Sequence, residues 1–476
     1  MTRETWATQI GFILAAVGSA VGLGNIWRFP WMTAENGGSA FLIVYLGIVL
    51  LVGVPGLLGE FVIGRRAKRN PVGAMRELSG SRAWEFVGGF SVITAVVLLS
   101  FYSVVGGWIL RYLVASPTGA YFGSPGAFYD AISFGTTGAV GFGLLFLVLT
   151  ALIVFAGIRK GIELATKVMM PAIVILLIAF ALWAFFQPNA AEGYAFYLGA
   201  DWSYLSENFL TILPAAAGQA LFTLSVGAGT MITYASYLGE DRSLPFDGSA
   251  IAVLNTFVGV LAGLVVFPLL FSFAPEMVGQ SGPGALFIGI AGAFANLPPV
   301  AGIEIGPLVA TLFFGVVALA ALSSSISMLE IPVSFLVDEF GVERAYATGG
   351  LLVFISVIMT VNALRPAVFG FIAGTLVDLM LTAGILAFLL FVGWVLGRDA
   401  AAEFAKGASD FGESLATPWL FAAGVVLPLF LLFTLLTGIF GALSLTGSVE
   451  TWMTLLLSAV IGLVAFFGLR RPTSVL

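Results

Sequence analysis

The chain has 476 residues, 60% of them hydrophobic and only 9% charged, with a net charge of −6. A soluble domain carries about 25% charged residues, so a mean hydropathy of +1.08 means that lipid solvates most of this chain. Without a single cysteine or histidine it has no disulfide, no thiolate or imidazole metal ligand and no imidazole general base, and an isoelectric point of 4.8 argues against nucleic acid as a partner.

Apolar runs such as 87–113, 166–186 and 309–331 match or exceed the ~20 residues that cross a bilayer as a helix. Barrel strands would be ~10 residues of alternating polarity. The fold class is therefore an all-α membrane protein. About twelve transmembrane helices of that length are expected, at 8–31, 40–63, 86–114, 138–157, 163–186, 207–237, 248–273, 302–336, 345–363, 367–396, 418–441 and 451–469. The first run is longer than the apolar region of a signal peptide, about 7–15 residues, so the first helix is expected to be retained. Polar joints at 64–71, 157–161 and 239–242 and the acidic stretch 398–413 separate the runs. With the N-terminus inside, every Lys and Arg except Arg28, Arg111 and Arg365 falls on one side. Basic loops mark the cytoplasmic face, which predicts a multi-pass protein of the cell membrane with both termini cytoplasmic.

Two spans carry glycine clusters near their middles. The first contains Gly18-Ser-Ala-Val-Gly-Leu-Gly-Asn25, the sixth Ser225-Val-Gly-Ala-Gly-Thr230. Glycine costs about 1 kcal/mol relative to alanine inside a helix, so both helices are expected to break. A break within hydrocarbon survives only where the freed N–H and C=O groups are buried or line a cavity. One cluster alone is equally explained by close packing of small residues. Two at corresponding places in successive groups of five spans point to a midplane transport site.

The segments Trp6-Ala-Thr8, Gly18-Ser-Ala-Val-Gly-Leu-Gly-Asn-Ile-Trp-Arg-Phe-Pro30 and Glu35-Asn-Gly-Gly38 resemble the opening of the neurotransmitter:sodium symporter family. The likeness continues through Gly218-Gln-Ala-Leu-Phe-Thr-Leu-Ser-Val-Gly-Ala-Gly229, Thr233-Tyr-Ala-Ser-Tyr237, Leu322-Ser-Ser-Ser-Ile326 and Asp338-Glu339. It covers nearly the whole chain and is closest in kind to the prokaryotic amino-acid transporters. The resemblance implies a leucine-transporter-like fold of two inverted five-helix repeats with helices 1 and 6 broken. Residues 1–397 would form the transport core, with helices 1–5 at about 8–187 and 6–10 at about 206–397. A cytoplasmic loop at 398–416 and accessory helices with a C-terminal tail at 417–476 would follow.

By the same resemblance two sodium ions are expected. The first would sit among Ala20, Asn25, Thr223, Asn255 and the carboxylate of the substrate, the second among Gly18, Val21, Ala320, Ser323 and Ser324. Hard cations take oxygen ligands, which these residues supply, although a serine run alone equally suits packing or back-bonding. The substrate would meet Ala20, Gly22, Leu23, Gly24, Tyr102, Phe222, Thr223 and Ser225 through its polar groups. Its side chain would meet Leu98, Phe222, Ser225, Ala228, Ser324 and Met328. Amine-carrying relatives have aspartate at Gly22, so glycine implies a substrate that keeps its own carboxylate. The leucine-preferring relative has phenylalanine at Ala228, so alanine implies a larger apolar or aromatic side chain.

An outer gate of Arg28, Tyr102 and Phe222 is expected, and an inner one of Arg3, Trp6, Tyr237 and Asp338. The acidic partner of Arg28 falls at Gly370 in this register. Asp378 lies eight residues on, about 12 Å along a helix, too far to substitute simply, so Arg28 is left to find water, a carbonyl or another acid. Gly259 replaces the serine of chloride-dependent relatives, so chloride dependence is not expected. The partners expected are an amino acid and the lipid bilayer, with the chain a monomer or weak homodimer and not an enzyme. Proton coupling through Glu60, an acid that could instead hydrogen-bond the backbone of the broken helix, is the competing mechanism, and a non-transporting sensor or channel the competing class. An intramembrane hydrolase lacks its His–Ser or paired-Asp chemistry.

Overall fold

The computed structural model describes residues 6, 8–279, 284–442 and 458. These form a bundle of apolar helices with no strand among the described residues. The spans run in order: α1a, Gln9–Ala20; α1b, Gly24–Glu35; α2, Ser39–Ala67; α3, Arg82–Thr118; α4, Thr137–Phe155; α5, Ile158–Phe185; α6a, Trp202–Thr223; α6b, Thr230–Ala235; α7, Leu244–Phe273; α8, Gly306–Phe340; α9, Arg344–Leu364; α10, Pro366–Leu396; and α11, Asp410–Phe440. The span expected at 451–469 lies outside the described residues, as does Arg3. Pro71–Ser79, Pro125–Ser133, Ala190–Leu198, Ala285–Ala295 and Arg398–Ala405 form short helices where the sequence pattern reads as loop. Their runs are too short for apolar periodicity to stand out.

Both expected breaks are present. The halves of α1 are bent by 46°, and α1b opens on a π turn, Gly24–Arg28. Between α6a and α6b the chain takes left-handed φ at Ser225 (+53°), Gly227 (+101°) and Gly229 (+73°), conformations that glycine adopts at little cost. α1a packs on α6b and α1b on α6a, so the two breaks lie side by side. α3 and α8 pack together along the bundle, and both touch α10 or α5 behind them.

The freed main-chain groups are accounted for. Glu60, fully buried on α2, accepts from the N–H groups of Gly227 at 2.6 Å, Met231 at 3.0 Å and Ile232 at 3.3 Å. One carboxylate thus caps the start of α6b. The Ser225 hydroxyl donates to Ser19 O at 2.9 Å, tying one break to the other. We call the end of the bundle that carries Arg65–Arg82 the inner end.

Candidate functional site

The first oxygen set gathers at the two breaks. Asn25 is held from both sides: its Oδ1 accepts from Gly22 N–H at 3.1 Å and its Nδ2 donates to Asn255 O at 2.9 Å. Asn255 Oδ1 accepts from Asn25 Nδ2 at 2.9 Å, yet it also lies 3.1 Å from Ala20 O and 3.2 Å from Thr223 O. Oxygens at that spacing repel unless a cation sits among them or the amide is turned. Ala20, Asn25, Thr223 and Asn255 are all buried, and they converge on one point. The donor set is carbonyls, amides and a hydroxyl, without a protein carboxylate, which suits a monovalent hard cation that brings an anionic ligand with it.

The second set lies between the α1 break and α8. Ser323 Oγ donates to Val21 O at 3.1 Å and to Ala320 O at 2.9 Å, and Ser324 Oγ reaches Gly18 O at 3.5 Å. The five residues expected there are brought together. The serine run is thus partly back-bonded within α8 and partly aimed across at α1. A further hydroxyl pair, Ser19 with Ser327 at 2.7 Å, braces the same seam.

Between the two sets lies a cradle for an anion. Tyr102 is buried on α3, and its hydroxyl accepts from Leu23 N–H at 3.0 Å. A Cβ added at Gly22 would lie 2.0 Å from Ser324 Oγ and 2.7 Å from Tyr102 Oη, and one at Gly24 would lie 3.0 Å from the Phe222 ring. Both glycines therefore admit main-chain approach that no side chain allows. Leu98 lies one turn before Tyr102 and Met328 one turn past Ser324, so each shares a face with its partner. Leu98, Phe222, Ala228, Ser324 and Met328 are all buried.

The outer side corrects the sequence expectation. Arg28 Nη2 donates to Asp378 Oδ2 at 2.6 Å, its Nη1 reaches Gln219 Oε1 at 3.4 Å, and its guanidinium lies 4.9 Å over the Phe222 ring. Gly370 is exposed in the first helical turn of α10, with nothing within 4 Å of where its Cβ would be. Arg28 lies deeper, at the level of Asp378, so the register that placed the acid at Gly370 was wrong and the outer salt bridge exists. Gln219, whose Nε2 also donates to Gly24 O at 2.7 Å, joins this lid.

On the inner side, Trp6 Nε1 donates to Tyr234 O at 3.0 Å and its ring meets Tyr237 edge-on at 6.2 Å. The Tyr237 hydroxyl donates to Glu330 at 2.9 Å, and Glu330 pairs with Arg344. Asp338 Oδ2 accepts from Asn70 N–H at 3.1 Å. The Arg3–Asp338 pair expected from the sequence falls outside the described residues. Asp338, Tyr237, Lys68 and Arg344 line a cavity of about 860 Å³. Glu330 and Arg344 are additions that the sequence reading missed. The available signal was an acid inside the apolar run of α8, since an ionisable group within a span rarely lacks a role.

The sequence matches the sodium:neurotransmitter symporter family over residues 3–122 and 127–459. It is 34% identical over 439 residues to the uncharacterized sodium-dependent transporter YhdH of Bacillus subtilis, covering 89% of this chain and 95% of that one. It is 35% identical over 452 residues to an uncharacterized sodium-dependent transporter of Methanocaldococcus jannaschii, covering 90% of this chain and 89% of that one. The crystal structure of MhsT in complex with L-phenylalanine superposes with a TM-score of 0.82 at 36% identity, over 92% of this chain and 100% of that one. With two broken helices side by side, oxygen sets at both breaks and this likeness along its length, the chain belongs to the sodium:neurotransmitter symporter family and is a sodium-dependent membrane transporter.

Proposed function

We propose that the chain is a sodium-coupled symporter that imports neutral, hydrophobic or aromatic amino acids by alternating access. The observation that carries this reading is the cradle at the α1 break, where Leu23 N–H meets the Tyr102 hydroxyl beside a glycine, Gly22. An amine substrate needs a protein acid on that wall, whereas an amino acid brings its own carboxylate. The N-terminal end of α1b adds the positive end of a helix dipole to the same point. The substrate carboxylate completes the oxygen set of Ala20, Asn25, Thr223 and Asn255, so sodium and substrate raise each other's affinity. Gly18, Val21, Ala320, Ser323 and Ser324 take the second ion.

The carbonyls around Phe222, Thr223 and Ser225 receive the substrate's ammonium group. No charged residue stands among Leu98, Phe222, Ser225, Ala228, Ser324 and Met328, so a charged substrate side chain would be buried unpaired at high cost. The small Ala228 and the adaptable Met328 leave room for a large apolar side chain, in keeping with the L-phenylalanine named for MhsT. Chloride is not required, because Gly259 offers no hydroxyl. Glu60 already accepts three main-chain N–H groups, so it serves as a helix cap and not as the site of proton coupling.

Transport runs through residues 1–397, with 398–416 as a cytoplasmic connection and 417–476 as accessory helices and tail. The basic inner end faces the cytoplasm in the cell membrane, and the chain works as a monomer or weak homodimer. Closing the lid of Arg28, Asp378, Tyr102 and Phe222 seals the outer side. Parting Trp6, Tyr237 and Asp338 opens the inner one.

The test is uptake of a labelled mixture of neutral amino acids into liposomes carrying the purified chain, under a sodium gradient or a potassium gradient at matched potential. Sodium-driven uptake abolished by Asn25→Ala is the expected result. Uptake driven equally by a pH gradient without sodium would overturn the two-ion assignment, and no uptake of any amino acid would overturn the substrate class.

A further inference from the structure

The size of a binding pocket is usually attributed to the residues that line it. Here the unwound wall between α6a and α6b is also set from behind. Gly384, buried on α10, packs directly on the main chain of Gly227: a Cβ added to it would lie 2.0 Å from the Gly227 carbonyl oxygen and 3.0 Å from its carbon. The contact is reciprocal, since a Cβ on Gly227 would lie 2.1 Å from Leu381 O, one helical turn earlier on α10. On the α2 side the Gly227 N–H is held by Glu60 at 2.6 Å, and Leu224 fills the space that a Cβ on Gly53 would take. The opposite face of the segment is tied to α1 through Ser225 and Ser19 O at 2.9 Å. A stretch of turns outside regular helix thus sits between α10 and α2 behind it and the α1 break in front, with Ala228 following Gly227 directly.

We infer that Gly384 is a specificity-determining positioning residue, which lets the unwound segment recede toward α10 and so makes room for a large apolar side chain beside Ala228. The inference rests on the amino-acid reading above and deepens it. A methyl at position 384 cannot stay 2.0 Å from a carbonyl oxygen. The α10 backbone is a regular helix there, whereas the segment it meets is unwound, so the segment is the partner that yields. Its shift, on the order of 1 Å to reach ordinary packing contact, is directed away from α10 and into the subsite. One methylene more or less in an apolar pocket changes discrimination about 10–200-fold, so the wall displacement is expected to weaken large substrates at least about 10-fold and to spare small ones.

The experiment compares wild type, Gly384→Ala and Gly384→Ala/Ala228→Gly in proteoliposomes, measuring KM and kcat for sodium-driven uptake of phenylalanine and of alanine. Gly384→Ala is expected to raise the phenylalanine KM at least about 10-fold with little change in kcat or in the alanine KM. Removing the Ala228 methyl in the double variant is expected to recover most of the loss. Equal losses for both substrates, or no loss for either, would overturn the inference while leaving the transport reading intact. An absence of amino-acid uptake by the wild type would take down that reading and the inference together. If Gly384→Ala does not yield monodisperse protein, Gly53→Ala presses the same segment through the yielding end of Leu224. It should shift preference toward alanine by a smaller factor, and an unchanged preference would then overturn the inference.

Discussion

Replacing Asp378 by asparagine tests the outer lid most directly. Arg28 is 7% exposed and Asp378 28% exposed, and their ion pair spans 2.6 Å. Removing one partner from a fully buried pair costs about 3–5 kcal/mol. Here the acid is partly wetted, the asparagine keeps a hydrogen-bond acceptor, and Arg28 retains Gln219 and its stacking on Phe222, worth about 0.5–2 kcal/mol. The closed lid should therefore lose about 2 kcal/mol, or about 30-fold in its closing equilibrium. If the lid limits release to the outside, a bound labelled amino acid in saturating sodium should dissociate about 30-fold faster when chased with unlabelled substrate. Asp378→Glu should recover most of the difference and Gly370→Asp should change nothing. Dissociation from Asp378→Asn within twofold of wild type would show that the pair does not hold the lid shut.

Gly22→Ala places a methyl against Ser324 and Tyr102 and should abolish equilibrium binding of amino acids while a Gly259→Ala variant, whose added carbon meets nothing nearer than 3.5 Å, folds and binds normally. Uptake rates should be the same in chloride and in gluconate; a rate that rises with chloride would show an anion site that Gly259 does not explain. Glu60→Gln leaves one acceptor oxygen where two now serve three N–H groups, so at least one buried donor loses its partner and we expect about 2 kcal/mol less stability, seen as a lower thermal midpoint in detergent. At the inner end, burial works to raise the Glu403 carboxyl, but Lys406 and Arg65 outweigh it and hold it below the usual carboxylate range. A carboxylate depressed in the folded state contributes stability that is complete above its unfolded pKa of about 4.3 and lost as pH falls through its folded value. Thermal midpoints measured downward from pH 5 should therefore fall more steeply for wild type than for Glu403→Gln.

Some of this was legible along the chain because it depends on local composition. Spans show as apolar runs whose length the bilayer dictates, and α1 and α6 break where glycines cluster, since glycine weakens a helix wherever the helix lies. The oxygen sets were legible only as a constellation. Thr223 or Ser323 alone is indistinguishable from a packing residue, and the resemblance supplied the pairing that brings Asn25 to Asn255 and Val21 to Ser323.

The partner of Arg28 shows where sequence alone runs out. Counting along span ten placed the acid at Gly370, but α10 begins at Pro366 and carries a π turn at Ile372–Leu376, so neither its depth nor its facing follows from a uniform helical count. Glu60 presented two roles in the sequence, proton carrier or backbone cap, and the capping contact became visible only through its three N–H partners on α6. Gly384 carries no sequence signal, because a glycine in an apolar run reads the same whether it faces lipid or a carbonyl oxygen. Chain composition by itself marked the apolar spans and where two of them fail. Only tertiary structure decided that Arg28 meets Asp378 and that Gly384 bears on the broken segment at Gly227, because these contacts join residues far apart in the chain and depend on depth and rotation that local periodicity does not encode.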